Sequence, residues 1–363
     1  MSINEAKTVR FDHFPAKFAD FEQGKPIISI IMDCFYGLDL VRQSVQSVLD
    51  QDYPNVELIL VDNGAQKDVS DYLHQVYASE KNVPLIKFKE NQFAWNDTEK
   101  SAAVCWNAAL IHSGGDFIAH LAYDDLLSKN YASKMVQLFM DNPDCVTAAP
   151  MPAGIDGQGK ITGSSNAGNS RGRYTDGVQI ALDVLRGNPK RLLSAPGEIF
   201  AIKRSLLLEH GGFDRMIDLS QTLKYAILGV SGFDPEAFVY WRHHDGQLNK
   251  LAKKRGAIFY SSNEAAWHES GIVDIWQKRF DAAEVQLLLA FKKRRAAAGP
   301  IGVIRENVSR KNFRGVFFAI VNVARECPHL LLAALYATAA QTFSILLGKF
   351  LRMAFSRKDA SQG

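Results

Sequence analysis

Apolar residues in the first half of the chain come in short unbroken runs, separated by stretches in which they recur at helical spacing. Ile27-Ile28-Ser29-Ile30-Ile31-Met32 is nearly continuous and rich in β-branched side chains, the pattern of a strand buried on both faces. Val41, Val45, Val48 and Leu49 then return at helical spacing, and Asp52-Tyr53-Pro54-Asn55 signals the turn that ends this helix. Val56 to Val61 reads as the next strand and closes on Asp62-Asn63-Gly64. Strand, helix and strand within about forty residues make a βαβ unit, which implies a parallel sheet and a right-handed crossover.

The alternation continues. Val83 to Phe88 predicts a strand, Thr98 to His112 a helix with Ala102, Ala103, Trp106 and Leu110 on one face, and Phe117 to Leu121 a buried strand. A helix around Tyr131 to Met140 and a short strand at Cys145 to Ala149 follow. From Pro150 to Gly177 the pattern gives way to Gly, Ser and Asn, which predicts a long loop. Glu198 to Ile202 reads as a strand, Gly211-Gly212-Phe213-Asp214 as a turn, Ser220 to Leu228 as a helix and Ala237 to Tyr240 as a strand; beyond Lys250 the pattern is helical.

The strand from Phe117 delivers two adjacent carboxylates, Asp124 and Asp125, just past its C-terminal end. In an open α/β sheet that end is where ligands bind. A carboxylate pair there suits a hard divalent cation that keeps waters and bridges to substrate phosphates. The competing reading is that the pair caps a helix suggested by Leu126 to Leu138.

Composition narrows the class. With 363 residues, 47% hydrophobic and 22% charged, the chain is ordinary globular protein with room for about two domains. The net charge of +3 is too small to argue for nucleic acid. Basic residues gather late, at Lys250, Lys253, Lys254 and Arg255 and again at Lys292 to Arg295, where a solvated helix face is the plain alternative to a binding surface. Cysteines 34, 105, 145 and 327 lack metal-type spacing and mostly sit in apolar runs, which favours a reducing cytosol. Met1 to Lys25 holds no apolar segment of the kind a secretory signal needs, so the expected location is cytoplasmic.

Several further segments stand in a telling order. Pro26 to Phe35 forms an opening strand, and Ser44 to Pro54 a first helix and turn. Val61-Asp62-Asn63-Gly64 closes the second strand, and Trp106-Asn107-Ala108-Ala109 leads through Gly115-Asp116-Phe117-Ile118-Ala119 to the carboxylates. Gly211-Gly212-Phe213-Asp214 precedes Asp218, and Arg242-His243-His244 completes the series. In this order and spacing the chain, from about Pro26 to Leu248, resembles the family 2 glycosyltransferases of GT-A fold, which depend on nucleotide sugars. The resemblance implies a Rossmann-like, mostly parallel sheet flanked by helices over 26–250, after an N-terminal lead of 1–25 and before a helical extension of 251–363.

It also implies roles. Asp33, Asp62, Asn63, Asn107 and Asp124 are the expected nucleotide-sugar-binding residues, and Asp124, Asp125 and His244 the expected ligands of Mn²⁺ or Mg²⁺. Asp218 matches the catalytic base that takes the proton of the acceptor hydroxyl; a single displacement would invert the anomeric configuration. The implied partners are a nucleotide-sugar donor and a saccharide or lipid-linked saccharide acceptor in polysaccharide or glycan biosynthesis. Read from chemistry alone, Asp62 also suits a turn, Asp218 a helix cap and His244 a packed imidazole. The chain departs from the family pattern at Asp33 (usually Pro), Tyr36 (Asn), Ala65 (Ser), Trp106 (Arg), Ala122 (the first Asp of Asp-x-Asp) and Ile217 (Glu). These losses motivate an alternative, a catalytically degenerate nucleotide-sugar-binding partner subunit.

Leu330 to Leu347 carries no charge and stands between basic flanks, with Lys349, Arg352, Arg357 and Lys358 after it. Its length sits at the lower edge for a spanning helix, and its flanks suit a helix lying in the membrane interface. A helix buried in the protein is the alternative. The expectation is peripheral or monotopic attachment at the inner face of the membrane.

Overall fold

The computed structural model describes residues 9–93, 98–164, 172–187, 200–255, 264–326, 328–332, 335–336 and 339. It opens with a strand that the sequence pattern does not announce, β1 (Phe11–Phe14), pairing antiparallel with β4 (Leu85–Phe88) and closing one edge of the sheet. The βαβ unit then forms as its pattern dictates, through β2 (Ile28–Cys34), α1 (Leu38–Leu49) and β3 (Val56–Asn63), with β2 and β3 parallel. Side-chain alternation sends Ile28, Ile30, Met32 and Cys34 to one face and Ile31 to the other. The first face packs against Val41, Val45 and Val48 of α1 and against Val69, Leu73 and Val76 of α2 (Lys67–Ser79). The second meets Val104, Cys105 and Ala108 of α3 (Thr98–His112). Each of these large apolar side chains contributes about 1.5–3 kcal/mol by leaving water.

Beyond α3 come β5 (Phe117–His120), the short β6 (Leu126–Leu127), α4 (Tyr131–Asp141), β7 (Cys145–Asp156), β8 (Ile161–Ser164), β9 (Tyr174–Asp176) and α5 (Gly177–Arg186). Next are β10 (Ala201–Lys203), α6 (Arg204–Glu209), α7 (Ile217–Ser220) and β11 (Val230–His243). The sheet order is β1-β4-β3-β2-β5-β10-β7-β11-β6, with β8 on β7 and β9 on β11. It is parallel from β4 to β5 and mixed beyond, because β10 enters antiparallel between β5 and β7.

Three expectations change here. No helix starts at Leu126: β6 pairs with β11, and the helix begins at Tyr131 with Asn130 as its N-cap, so Asp124 and Asp125 cap no helix. The strand expected to end at Ala149 continues to Asp156 and turns back into β8, so part of the glycine-rich stretch is a hairpin. Pro150 and Pro152 lie between the last residue paired to β10, Ala148, and the first paired to β8, Ala153, where the strand has only one paired edge. The helix expected at Ser220 to Leu228 is broken: α7 runs into a π-helical turn at Gln221–Tyr225 and a 3₁₀ turn at Ala226–Leu228.

The chain forms two compact units, one of residues 1–94, 99–244 and 268–288 and one of 95–98, 245–267 and 289–363. The whole sheet belongs to the first, together with α10 (Ile272–Arg279), whose Trp276 Nε1 donates to the Leu223 carbonyl at 2.7 Å. The second is helical, with α8 (Leu248–Lys254) and α12 (Phe313–Glu326) wholly within it and the latter part of α11 (Ala282–Ser309). The short α9 (Glu264–Glu269) is divided between the units. Val303, Ile304 and Val308 of α11 pack on Val316, Ala319 and Val323 of α12. Most of Leu330 to Leu347 lies outside the described residues.

Candidate active site

The β6–β11 ladder places the Asp124-Asp125 turn against the end of β11, more than a hundred residues away in sequence. Val239 pairs with Leu127 and Tyr240 with Leu126, so the residues before Leu126 run alongside those after Tyr240. His244 Nε2 thereby lies 3.0 Å from Asp124 Oδ2, with the two side chains 17% and 14% exposed. Asp125 turns inward: it is 2% exposed and its Oδ1 accepts the Arg242 backbone N–H at 2.9 Å. Burial, and then the neighbouring Asp124 charge, push the Asp125 carboxyl well above the usual carboxylate range.

Two side chains hold this acidic turn from behind. Ser44 Oγ on α1 lies 2.8 Å from the Tyr123 carbonyl and 2.6 Å from the Asp125 carbonyl, both acceptors. Arg242, fully buried, donates from Nε to the Asp124 carbonyl at 2.7 Å, from Nη1 to Gly157 O at 3.2 Å and from Nη2 to Gln43 Oε1 at 3.0 Å. A guanidinium with its fork occupied on several sides is a rigid brace.

Asp33 stands at the end of β2 and is partly exposed; its Oδ1 accepts the Trp106 indole N–H at 2.8 Å. Burial raises its carboxyl above the ordinary range against the effect of that hydrogen bond, and the Asp124 charge adds to the rise. Trp106 stacks on His120 at 3.8 Å and meets the edge of Phe213 at 5.4 Å. His120 is buried with Nδ1 unpartnered, and burial lowers its pKa to about 3, so the ring is neutral. Tyr36 and Tyr123 meet edge to face at 5.3 Å on the same side as Asp124.

The remaining expected residues are placed differently. Asp62 is 1% exposed; Oδ1 accepts from Ala65 N at 2.8 Å, Oδ2 from Ser70 Oγ at 2.5 Å, and Lys87 Nζ lies 3.7 Å off. Asn63 donates to Ser101 Oγ at 2.8 Å and accepts from Gln92 N at 2.9 Å. Both side chains hold the turn at Gly64, whose φ of +58° and whose approach to the Asn91 backbone, 2.5 Å from where a Cβ would sit, admit no side chain. Asn107 is fully buried and its amide is spent on Phe213, donating to O at 2.7 Å and accepting from N at 2.8 Å. Asp218 falls on α7, and its side chain lies outside the described ones. The backbone of that turn is anchored on buried Asp214, which accepts from Met216 N at 2.8 Å, Ser220 Oγ at 2.6 Å and Lys224 Nζ at 3.2 Å.

The structure thus brings Asp124 and His244 together beside Asp33, and gives Asp125, Asp62, Asn63 and Asn107 bonds within the protein. His120, and the bracing role of Arg242 within its Arg-His-His segment, are what the sequence reading did not single out. One carboxylate oxygen and one imidazole nitrogen, on side chains that keep partial exposure, form a donor pair of the kind that suits Mn²⁺. Among the described residues no group of three or more His, Cys, Asp or Glu converges on one point.

Residues 29–188 match the Glycosyl transferase family 2 model. The chain is 30% identical over 117 residues to TuaG of Bacillus subtilis (strain 168), named as a teichuronic acid biosynthesis glycosyltransferase, covering 32% of this chain and 43% of that one. It is 32% identical over 116 residues to WfgD of Escherichia coli, a UDP-Glc:α-D-GlcNAc-diphosphoundecaprenol β-1,3-glucosyltransferase, covering 32% of this chain and 42% of that one. The chain therefore spans less than half the length of these two relatives. Among solved structures, S. aureus TarS 1–349 with UDP-GlcNAc aligns over 87% of this chain and 89% of its own with a TM-score of 0.53 at 14% identity, a likeness of fold. The sheet order, the family segment and these relatives agree: the chain carries a glycosyl transferase family 2 segment at residues 29–188 on a GT-A fold.

Proposed function

We propose that the protein is a metal-dependent, inverting glycosyltransferase of the hexosyltransferase type, moving a sugar from a nucleotide-sugar donor to a saccharide or lipid-linked saccharide acceptor in polysaccharide biosynthesis. The observation that carries this reading is the meeting of Asp124 and His244 at 3.0 Å, partly open, beyond the end of β5. The relatives named for teichuronic acid and for a diphosphoundecaprenol-linked acceptor support the acceptor class. In this reading Asp124 and His244 would hold a divalent cation, whose positive charge would offset the negative charge developing on the diphosphate leaving group. Asp62 and Asn63 shape the Gly64 turn against which the nucleotide rests. Asp218 accepts the proton of the acceptor hydroxyl during attack on the anomeric carbon.

Purified protein given a panel of nucleotide sugars with Mn²⁺ should release nucleoside diphosphate from one of them, faster with a saccharide acceptor present. Tight nucleotide binding with no release or transfer from any donor would favour the degenerate partner subunit instead, the reading that Ala122 and Trp106 motivate.

The surface of α12 supports attachment to an anionic membrane on the cytoplasmic side. While Val316, Ala319 and Val323 face α11, Phe313 and Phe317 stand 79% and 63% exposed, with Arg310, Lys311 and Arg314 exposed nearby. The proposed mode, a helix lying on the surface, rests on this exposed aromatic and basic face; among the described residues no helix is long and apolar enough to cross a membrane. Each phenylalanine buried in the acyl boundary contributes about 1.5–3 kcal/mol and each basic residue about 1 kcal/mol. Full-length protein should co-sediment with phosphatidylglycerol vesicles at low salt, and Phe313→Ser with Phe317→Ser should release it. Undiminished binding of the double variant, or none by the wild type, overturns this mode.

A further inference from the structure

The departures from the family pattern at positions 33, 106 and 122 fall on one another in space. β2 and β5 run parallel with Ile31 opposite His120, and the Leu121 N–H donates to the Ile31 carbonyl at 2.8 Å, so the pairing continues past β5. Carried two residues past its last pair, this register sets Ala122 beside Asp33 on the same face, since side chains in a strand alternate with period two. Neighbouring strands are about 4.8 Å apart, so a carboxylate on Asp33 lies beside the space that a side chain at 122 would occupy. Its Oδ1 is fixed by the Trp106 indole at 2.8 Å, and Trp106 is itself clamped between the His120 ring and the Phe213 edge. A carboxylate accepts about four hydrogen bonds, and the Trp106 indole takes one, so acceptor capacity remains on this partly exposed side chain.

We propose that Asp33 supplies from β2 the carboxylate that Ala122 lacks, and that it accepts a hydrogen bond from a hydroxyl of the bound nucleotide sugar, with Trp106 as the residue that positions it. The inference rests on the donor reading above. An arginine at 106 would pair with Asp33 as a charge, whereas the indole N–H fixes one oxygen and leaves the carboxylate its own. The hydroxyl belongs either to the ribose or to the transferred sugar, and the two sources are separable by ligand.

The test is calorimetric titration of the intact protein in Mn²⁺ with uridine, guanosine, adenosine and cytidine diphosphates, and with the glucose conjugate of whichever binds. Asp33→Asn, which keeps an acceptor for Trp106 but turns the other oxygen into a donor, should weaken binding roughly ten- to a hundredfold, the scale of one hydrogen bond to a charged group. A loss for the diphosphate itself assigns the ribose; a loss confined to the conjugate assigns the sugar. Adding Ala122→Asp to Asp33→Asn should restore most of the affinity, which a merely structural role for Asp33 would not allow. If the double variant melts below the single one, Asp33→Glu takes its place as the rescue. Wild-type affinity in Asp33→Asn, or no recovery in a folded rescue variant, overturns the proposal. Failure of the wild type to bind any of the nucleotides removes the donor reading itself, and this proposal with it.

Discussion

Asp218→Asn is expected to keep donor affinity within about twofold of wild type while transfer falls roughly a hundredfold or more, the scale of losing general-base assistance. The amide is nearly isosteric with the carboxylate but takes no proton from the acceptor hydroxyl. The turn carrying Asp218 has a support of its own, since Met216 N, Ser220 Oγ and Lys224 Nζ all bond to Asp214. Binding by calorimetry and transfer by product release, measured on one preparation, separate the two effects. Wild-type turnover in the variant would reduce Asp218 to a turn residue and move the search for the base elsewhere.

Asp124→Asn should abolish the cation dependence of nucleotide diphosphate binding. In the wild type, affinity in Mn²⁺ should exceed that in chelator by roughly a hundredfold, since losing a charged partner in a partly buried site costs about 2–5 kcal/mol. Without a cation, a diphosphate beside Asp33 and Asp124 meets like charge, and two unit charges 4 Å apart repel by about 4 kcal/mol at the effective dielectric near a protein surface. In Asp124→Asn the two conditions should give the same affinity, below the wild-type value in Mn²⁺, with His244 left as a single ligand. Equal wild-type affinity in chelator and in Mn²⁺ would sink the cation site and leave the pair as a hydrogen bond only.

The N-terminal half of the fold was legible because strands buried on both faces carry nearly unbroken apolar runs, as β2 and β3 do. What escaped was written more faintly. The edge strand β1 is only four residues, Phe-Asp-His-Phe, and α2 buries only Val69, Leu73 and Val76 along an otherwise polar sequence. In β7, Pro150, Pro152 and Gly154 read as breakers, yet the pairing with β11 carries the strand through them. At the site, the acidic turn and the distant histidine were visible as residue types. The inward turn of Asp125 and the internal bonds of Asp62, Asn63 and Asn107 were not, since each depends on partners far along the chain. Arg242 is the extreme case: its bonds to Gly157, Asp124 and Gln43 span 85, 118 and 199 residues, and no local pattern encodes them.

That brace bears on how the protein is made. A ribosome releases the chain from the N-terminus, so Gln43, Asp124 and Gly157 all emerge before the side chain that ties them together. Until Arg242 and His244 follow, the acidic turn has only Ser44 behind it and no partner for Asp124. A nascent chain can therefore complete its opening βαβ layers long before it can set His244 against Asp124. The assembled turn arrives late and in one step, with the last residues of β11 and His244 just past it.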